Sequence, residues 1–278
     1  MIWSALTYPF MWTALAAALV LGGIHAYLGF HVVKRGVIFV DLALAQMAAL
    51  GVGIGVLLHV EEREYISYFL ALGTTLVGAL LISLLRRSSS RAPLEAFIGI
   101  IFASGQALVI ALLAKTPSGT EHLKETLIGS IFTVAPSHIL KTALLYAAIG
   151  GLHYLVRKPL FLITENPEEA KRRGYNLFWW DLLFYGAFGL VVTSSVKIAG
   201  VLLVFALLVI PSVASLLVAE RTGLRLAIGW GFAAVAAFVG LITAFLLDLP
   251  AAPAILLVMT VMLTLVGVGG SLFRWKFD

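Results

Sequence analysis

No cysteine occurs among the 278 residues, so disulfides and thiolate metal sites are excluded and the sequence carries no mark of redox compartment. Charge is nearly as scarce: Asp, Glu, Lys and Arg make up 12%, where a soluble domain carries about a quarter. No Gly-Lys dipeptide is present, which removes a P-loop able to cradle nucleotide phosphates. An intramembrane enzyme would need an HExxH pair or a nucleophile and base on facing spans, and no such pair appears. What remains is apolar: 61% hydrophobic residues and a mean hydropathy of +1.05. Such a chain has a bilayer as its solvent.

Crossing the hydrocarbon core takes about 20 apolar residues as helix, because each adds only about 1.5 Å. Runs of that kind fall at roughly 10–32, 37–59, 66–85, 94–114, 137–156, 178–195, 200–219, 226–247 and 252–272. The expected fold class is therefore all-α, a polytopic helical membrane protein with about eight to nine transmembrane helices. The first run is too long and too lightly flanked by basic residues for a cleavable signal, and reads as a true span. No stretch suffices for a separate soluble domain, so residues 1–278 read as a single transmembrane domain.

The basic residues set the orientation. One set of loops holds Lys34, Arg35, Arg86, Arg87, Arg91, Arg157, Lys158, Lys171, Arg172, Arg173, Arg221, Arg225, Arg274 and Lys276; the opposite set holds Arg63, Lys115, Lys124 and Lys197, with Lys141 near a span end. The richer side is expected to be cytoplasmic, which puts the C-terminus inside the cell. The net charge of +5 is thereby explained by membrane orientation and not by nucleic acid.

The longest polar segment, residues 157–176, lies on that side. Within it Asn166 reads as a helix N-cap, Pro167 as the first helical residue, and Glu168 and Glu169 as first-turn acids. Ala170 continues the helix, Lys171 to Arg173 fill its last turn, and Gly174 ends it. Two readings fit this helix equally: a surface segment touching anionic lipid, or a coupling helix that docks into a partner.

Few polar groups interrupt the spans. Asp41 lies within or just inside the hydrocarbon region, where an acid is costly unless paired or wet; it reads as a transport-path residue or as the partner of Lys34, Arg35 or a backbone amide. Met47 offers a soft thioether but fills cores more often. Gln106, with Ser104, either bonds a neighbouring helix or lines a pore. Glu95 sits at a helix start near Arg91, and Asp181 beside Trp179 and Trp180 at an aromatic belt. Lys197 is expected in a short outer turn, and Pro211 is expected to kink its span. Gly51, Gly53 and Gly55 are expected to form one small-residue stripe, and Gly186 with Gly189 another. The six histidines form no metal constellation; His25 and His31 are near the first span, His59 and His122 in acidic outer loops, and His138 and His153 stand alone.

Four segments, in order, resemble the permease subunits of the zinc, manganese and iron class of ABC transporters: VVKRGVIFVDLALAQMAALGVGIGV, PLEAFIGIIFASGQAL, ITENPEEAKRRGYN, and VKIAGVLLVFALLVIPSVAS with LDLPAAPAILLV. The likeness runs from about Gly29 to Leu263. It implies a type II (BtuC-like) ABC importer permease in the bacterial plasma membrane, paired with a second permease copy as a homodimer. It also implies two ATPase subunits that carry ATP and magnesium, an extracytoplasmic metal-binding protein, and a divalent metal as substrate, with no cofactor on this chain. Residues Glu165, Asn166, Pro167, Glu168, Glu169, Ala170 and Gly174, within about 160–176, would meet the ATPase.

The family often carries Gly-Asp-Ala-Leu-Ser-His in the second span, an acid and an imidazole one helical turn apart. Here the stretch reads Val40-Asp41-Leu42-Ala43-Leu44-Ala45-Gln46. Asp41 takes the acid's place when counted from Arg35, and Gln46 the histidine's when counted from Gly51; five apart, they point about 140° from each other on a regular helix. The family's frequent Gly-Asp after the fourth span is Gly129-Ser130 here. Asp41 is the metal-contact candidate, and Gln46, Met47 and Gln106 complete the path candidates. The alternative class is a secondary transporter without an ATPase, which would show broken helices and paired intramembrane acids in two similar halves; no such repeat is visible.

Overall fold

The computed structural model describes residues 6–60, 63–86, 92–114 and 126–274, with side chains up to residue 269. Expectations for Glu61, Glu62, Arg87, Arg91, Lys115, Glu121, His122, Lys124 and Lys276 lie outside the described residues. Those residues are helical almost throughout: α1 (Pro9–Arg35), α2 (Val40–Leu57), α3 (Glu64–Leu85), α4 (Leu94–Leu113), a 3-10 turn at Ile131–Thr133, α5 (Pro136–Leu155), α6 (Arg157–Glu165), α7 (Pro167–Arg172), α8 (Leu177–Val218), α9 (Thr222–Leu247) and α10 (Ala251–Arg274). Backbone polar groups have no water to bond in a bilayer core, and helices satisfy them internally.

Among the described residues seven helices are long and apolar enough to cross a membrane, and α5 with α6, bent by 76°, makes an eighth if the pair is one broken span. The 42 residues of α8 contain two expected spans. Straight, it would measure about 63 Å, twice a hydrocarbon core. Its backbone leaves helical geometry at Gly200 (φ 71, ψ 162), a conformation in practice open only to glycine, and this divides it into 177–199 and 201–218. The break thus falls at the start of the expected second span and not in the 196–199 turn, and Pro211 lies inside the second segment. The broken ladder is repaired from outside. Ile198 O accepts from Ser130 N at 3.1 Å. Gly129 lies so near that a Cβ there would fall 2.3 Å from Ala199 C and Gly200 N.

Lys197 is therefore not in a turn but in the last helical turn before the break. Its exposed ammonium lies 6.0 Å from the Tyr68 ring centroid. A cation there suits both the helix dipole and the ring face.

The chain forms two compact units, one of residues 1–33, 128–146 and 198–278, the other of residues 34–127 and 147–197. In the first, α1 is central. A Cβ on Gly29 would lie 1.9 Å from Leu208 O, so the helices touch through backbone. Trp230 Nε1 on α9 donates to Gly23 O at 2.8 Å. His25, buried there, donates from Nδ1 to Leu21 O at 2.8 Å and packs edge-on to Tyr146.

In the second unit, α2 is central between α3 and α4. A Cβ on Gly51 would sit 2.4 Å from Ala71 Cα and Leu70 O, and one on Gly55 would meet Leu70 and Ser67 of α3. One on Gly53 would meet Leu112 and Leu113 of α4. The three glycines are thus not one stripe: residues two apart diverge by about 200° on a helix, while Gly51 and Gly55, four apart, share a face. Gly189 on α8 approaches Thr75 of α3, and Gly186 approaches Leu76. Here the expected small-residue contact is present.

Candidate functional site

Helix α2 opens beside the positions that the sequence marks out. Arg35 ends α1, Gly36 turns the chain at φ +66, and α2 begins at Val40. Phe39, the residue before it, brings no side-chain cap of its own. Its amide is received instead by Glu95 Oε1 on α4, at 3.0 Å. Glu95 is thus more than a dipole partner for its own helix, since it closes the start of the neighbouring one.

Asp41 follows in the first turn of α2, with 0% of its surface exposed. Neither carboxylate oxygen has a protein hydrogen-bond partner among the described residues. The pairing with Lys34, Arg35 or a backbone amide is not formed, because Arg35 is engaged elsewhere. Burying an unpaired carboxylate costs several kcal/mol, roughly, so the site suits an added cation, water or a proton.

Two of the other path candidates, Gln46 and Met47, point away from it. Helix α2 runs on as regular helix, so the angular separation of Asp41 and Gln46 persists. Gln46 is buried against Gly105 of α4, where a Cβ would lie 3.1 Å from Gln46 Cβ. Met47 packs against Gly78 of α3, and its carbonyl accepts from Thr74 Oγ1 at 2.6 Å. Gln106 is half-buried on α4. No group of three or more His, Asp or Glu side chains placed to hold a metal occurs among the described residues.

A second polar centre lies at the ends of several helices of the same unit. Asp181, in the first turns of α8, is fully buried and its Oδ1 accepts from two arginines: Arg35 Nη1 at 3.0 Å and Arg86 Nη1. Arg35 Nε also donates to Thr164 Oγ1 on α6 at 3.0 Å. Its guanidinium carbon lies 4.1 Å from the Phe184 ring centroid, and His153 stacks against the same ring at 6.0 Å. Asp181 is therefore a buried ion-pair partner as well as a chain neighbour of Trp179 and Trp180, and His153 is not isolated. An acid in an apolar run on the basic-rich side must find a cation; that rule was the available signal, and several basic residues satisfied it equally.

The polar loop folds as its residues dictate. Asn166 Oδ1 accepts from Glu169 N at 3.0 Å, Pro167 takes the first helical position, and Ala170 is the buried residue of α7. Lys171 bonds Glu168, and Arg173 bonds Glu169, both at 2.8 Å. The Lys171 ammonium, by hydrogen bond and charge, holds the Glu168 carboxyl below the usual range. Gly174, at φ +84, donates to Lys171 O at 2.9 Å, and Tyr175 N donates to Ala170 O at 3.0 Å. These two bonds form a Schellman stop, which needs the left-handed residue that Gly174 supplies. A six-residue helix closed at both ends is a stiff element on a mostly apolar protein.

Known proteins resemble this chain along nearly its whole length. The "Manganese transport system membrane protein MntC" of Listeria monocytogenes is 24% identical over 254 residues, 91% of this chain and 88% of that protein. A "Probable iron transport system membrane protein" of Haemophilus influenzae is 26% identical over 87% of this chain and 83% of its own length. The fold matches the structure "PsaBC from Streptococcus pneumoniae in complex with Fab", with a TM-score of 0.81 and 23% identity over 96% of this chain and 95% of that one. The model of the ABC 3 transport family matches residues 7–269. A secondary transporter is thereby set aside. The chain belongs to the ABC 3 transport family, as a membrane-spanning permease subunit and not an enzyme.

Proposed function

We propose that this permease serves an ATP-driven importer of a divalent first-row metal ion, with manganese or iron favoured over zinc as cargo. The observation that carries the reading is Asp41, buried at the start of a central span with neither oxygen hydrogen-bonded to protein among the described residues. A hard carboxylate without thiolate or an adjacent imidazole suits manganese and iron(II) better than zinc. The relatives named for manganese and iron transport agree with that choice. One carboxylate gives a weak site, and a translocation path needs weak sites, since an ion must leave as readily as it enters. Gln46 and Met47 face other helices and would touch the ion only in another conformation; Gln106, half-buried on α4, is a further candidate.

In this reading Glu165 to Gly174 is the cytoplasmic coupling segment. A separate ATPase, holding ATP and magnesium, presses on α7, and the capped helix passes the displacement on as a rigid body. A second permease copy completes the channel, and an extracytoplasmic protein delivers the metal. The basic-rich loops, and with them the C-terminus, face the cytoplasm of a bacterium.

The experiment is to copurify this chain with its ATPase and binding protein, place the assembly in lipid nanodiscs, and measure ATP hydrolysis with binding protein loaded with manganese, iron(II), zinc or cobalt. Stimulation strongest with manganese or iron(II) supports the reading. Stimulation by zinc alone overturns the cargo, and assembly without stimulation by any metal overturns metal import.

A further inference from the structure

The polar centre around Asp181 has no place in the path or in the docking surface, yet it joins four separate stretches of chain. Arg35 ends the helix before the turn into α2, Arg86 caps the end of α3, Thr164 lies on α6, and Asp181 opens α8. Burial makes this junction exacting. Arg35 is 3% exposed and Asp181 0%, and one carboxylate oxygen serves both guanidinium groups. Removing Asp181 leaves two guanidinium groups without their carboxylate in a medium that solvates them poorly.

Its position along the chain gives it a mechanical meaning. Thr164 stands two residues before Asn166, the cap of α7, and α6 is anchored beneath by the buried Leu160 and Ile163. On the other side of the same guanidinium, Arg35 is followed by Gly36 and, six residues on, by Asp41. One side chain therefore ties the segment bearing α7 to the turn that leads into the Asp41 helix. Phe184 fixes the plane of that guanidinium from below its ring face.

We propose that Asp181, with Arg35, Arg86 and Thr164, is the joint that transmits motion of the α6–α7 segment to the Asp41 helix. Asp181 is a positioning residue for coupling: it holds Arg35 in the geometry that reaches Thr164. Displacement of α7 moves Thr164, Thr164 moves Arg35, and the start of α2 follows. Weakening the joint leaves the ATPase docked and turning over, but spends its strokes without moving metal. The proposal rests on the reading of α7 as the docking helix.

The test uses the complete transporter in proteoliposomes, with manganese(II) uptake and ATP hydrolysis measured together for the wild type, Thr164→Val, Asp181→Asn, Asp181→Glu and Gly174→Pro. Thr164→Val keeps shape and removes one charge-assisted hydrogen bond, so uptake per ATP is expected to fall about tenfold while hydrolysis continues. Asp181→Asn is expected to lower the ratio further, and Asp181→Glu to restore part of it by returning the charge. A merely structural role would lower uptake and hydrolysis together and leave their ratio unchanged. Should Asp181→Asn fail to assemble, Thr164→Val decides alone. If Gly174→Pro abolishes stimulated hydrolysis while Thr164→Val keeps the wild-type ratio, the joint is overturned and α7 docking stands. If Gly174→Pro leaves stimulated hydrolysis intact, the docking reading falls and the joint with it.

Discussion

Glu95 and Phe39 belong to different helices, yet the carboxylate of one receives the backbone amide of the other at 3.0 Å, two residues ahead of Asp41. The acid therefore does for α2 what the N3 Glu of a capping box does from within a helix, receiving the amide of the cap residue. Glu95→Gln keeps an acceptor at this place and is expected to retain most uptake. Glu95→Ala leaves the Phe39 amide without its partner and costs about 1 kcal/mol at the start of α2. Parallel uptake and thermal-unfolding measurements on both variants check this; equal behaviour of Gln and Ala would remove the capping role.

Asp41 itself carries the largest expected effect on transport. Replacing its carboxylate with the amide of Asp41→Asn preserves volume and removes both the charge and the anionic donor. Uptake is expected to fall at least about tenfold, since even lost support of a metal ligand typically costs that much. Assembly with the ATPase should persist, because no protein group depends on Asp41 for a hydrogen bond among the described residues. Normal uptake by Asp41→Asn would remove it from the path.

How far the sequence carries depends on how local the deciding force is. The capped helix at 166–174 was legible to the residue because its N-cap, first-turn acids and glycine stop act over one turn. Spans were legible from composition alone, since the bilayer imposes their length. The break between 195 and 200 was legible to within a few residues, but not its form, because hydropathy cannot tell a turn from a helix that runs on to a single glycine. Nor was the choice of Asp181 by Arg35 over the nearer Asp41, for hydropathy places charges on a side of the membrane without pairing them. Separations of 146 and 95 positions are set by helix packing alone.

The proposed coupling role of α7 gives a graded prediction. Asn166→Ala removes one cap hydrogen bond and about 1 kcal/mol of helix stability, so metal-stimulated hydrolysis should decline in part. Gly174→Pro, or deletion of residues 165–174, destroys the stop or the helix, and stimulation should vanish. Copurification of the ATPase with each variant separates lost docking from lost transmission.

Gly51 offers a test of packing that is independent of any function. Its missing side chain lets α2 lie against the Ala71 backbone of α3, and a methyl group there would fall within 2.4 Å of Ala71 Cα and Leu70 O. Backbone cannot rotate aside as a side chain can, so Gly51→Ala must push the helices apart, at about 1–3 kcal/mol for such overpacking. Gly53→Ala meets only the side-chain ends of Leu112 and Leu113, at 3.8 and 4.0 Å, which is ordinary contact. Thermal unfolding in detergent should thus separate two glycines that stand two residues apart in the same helix: Gly51→Ala with a clearly lowered midpoint, Gly53→Ala near the wild type. Equal midpoints would mean that α2 does not lie against α3 through its glycines.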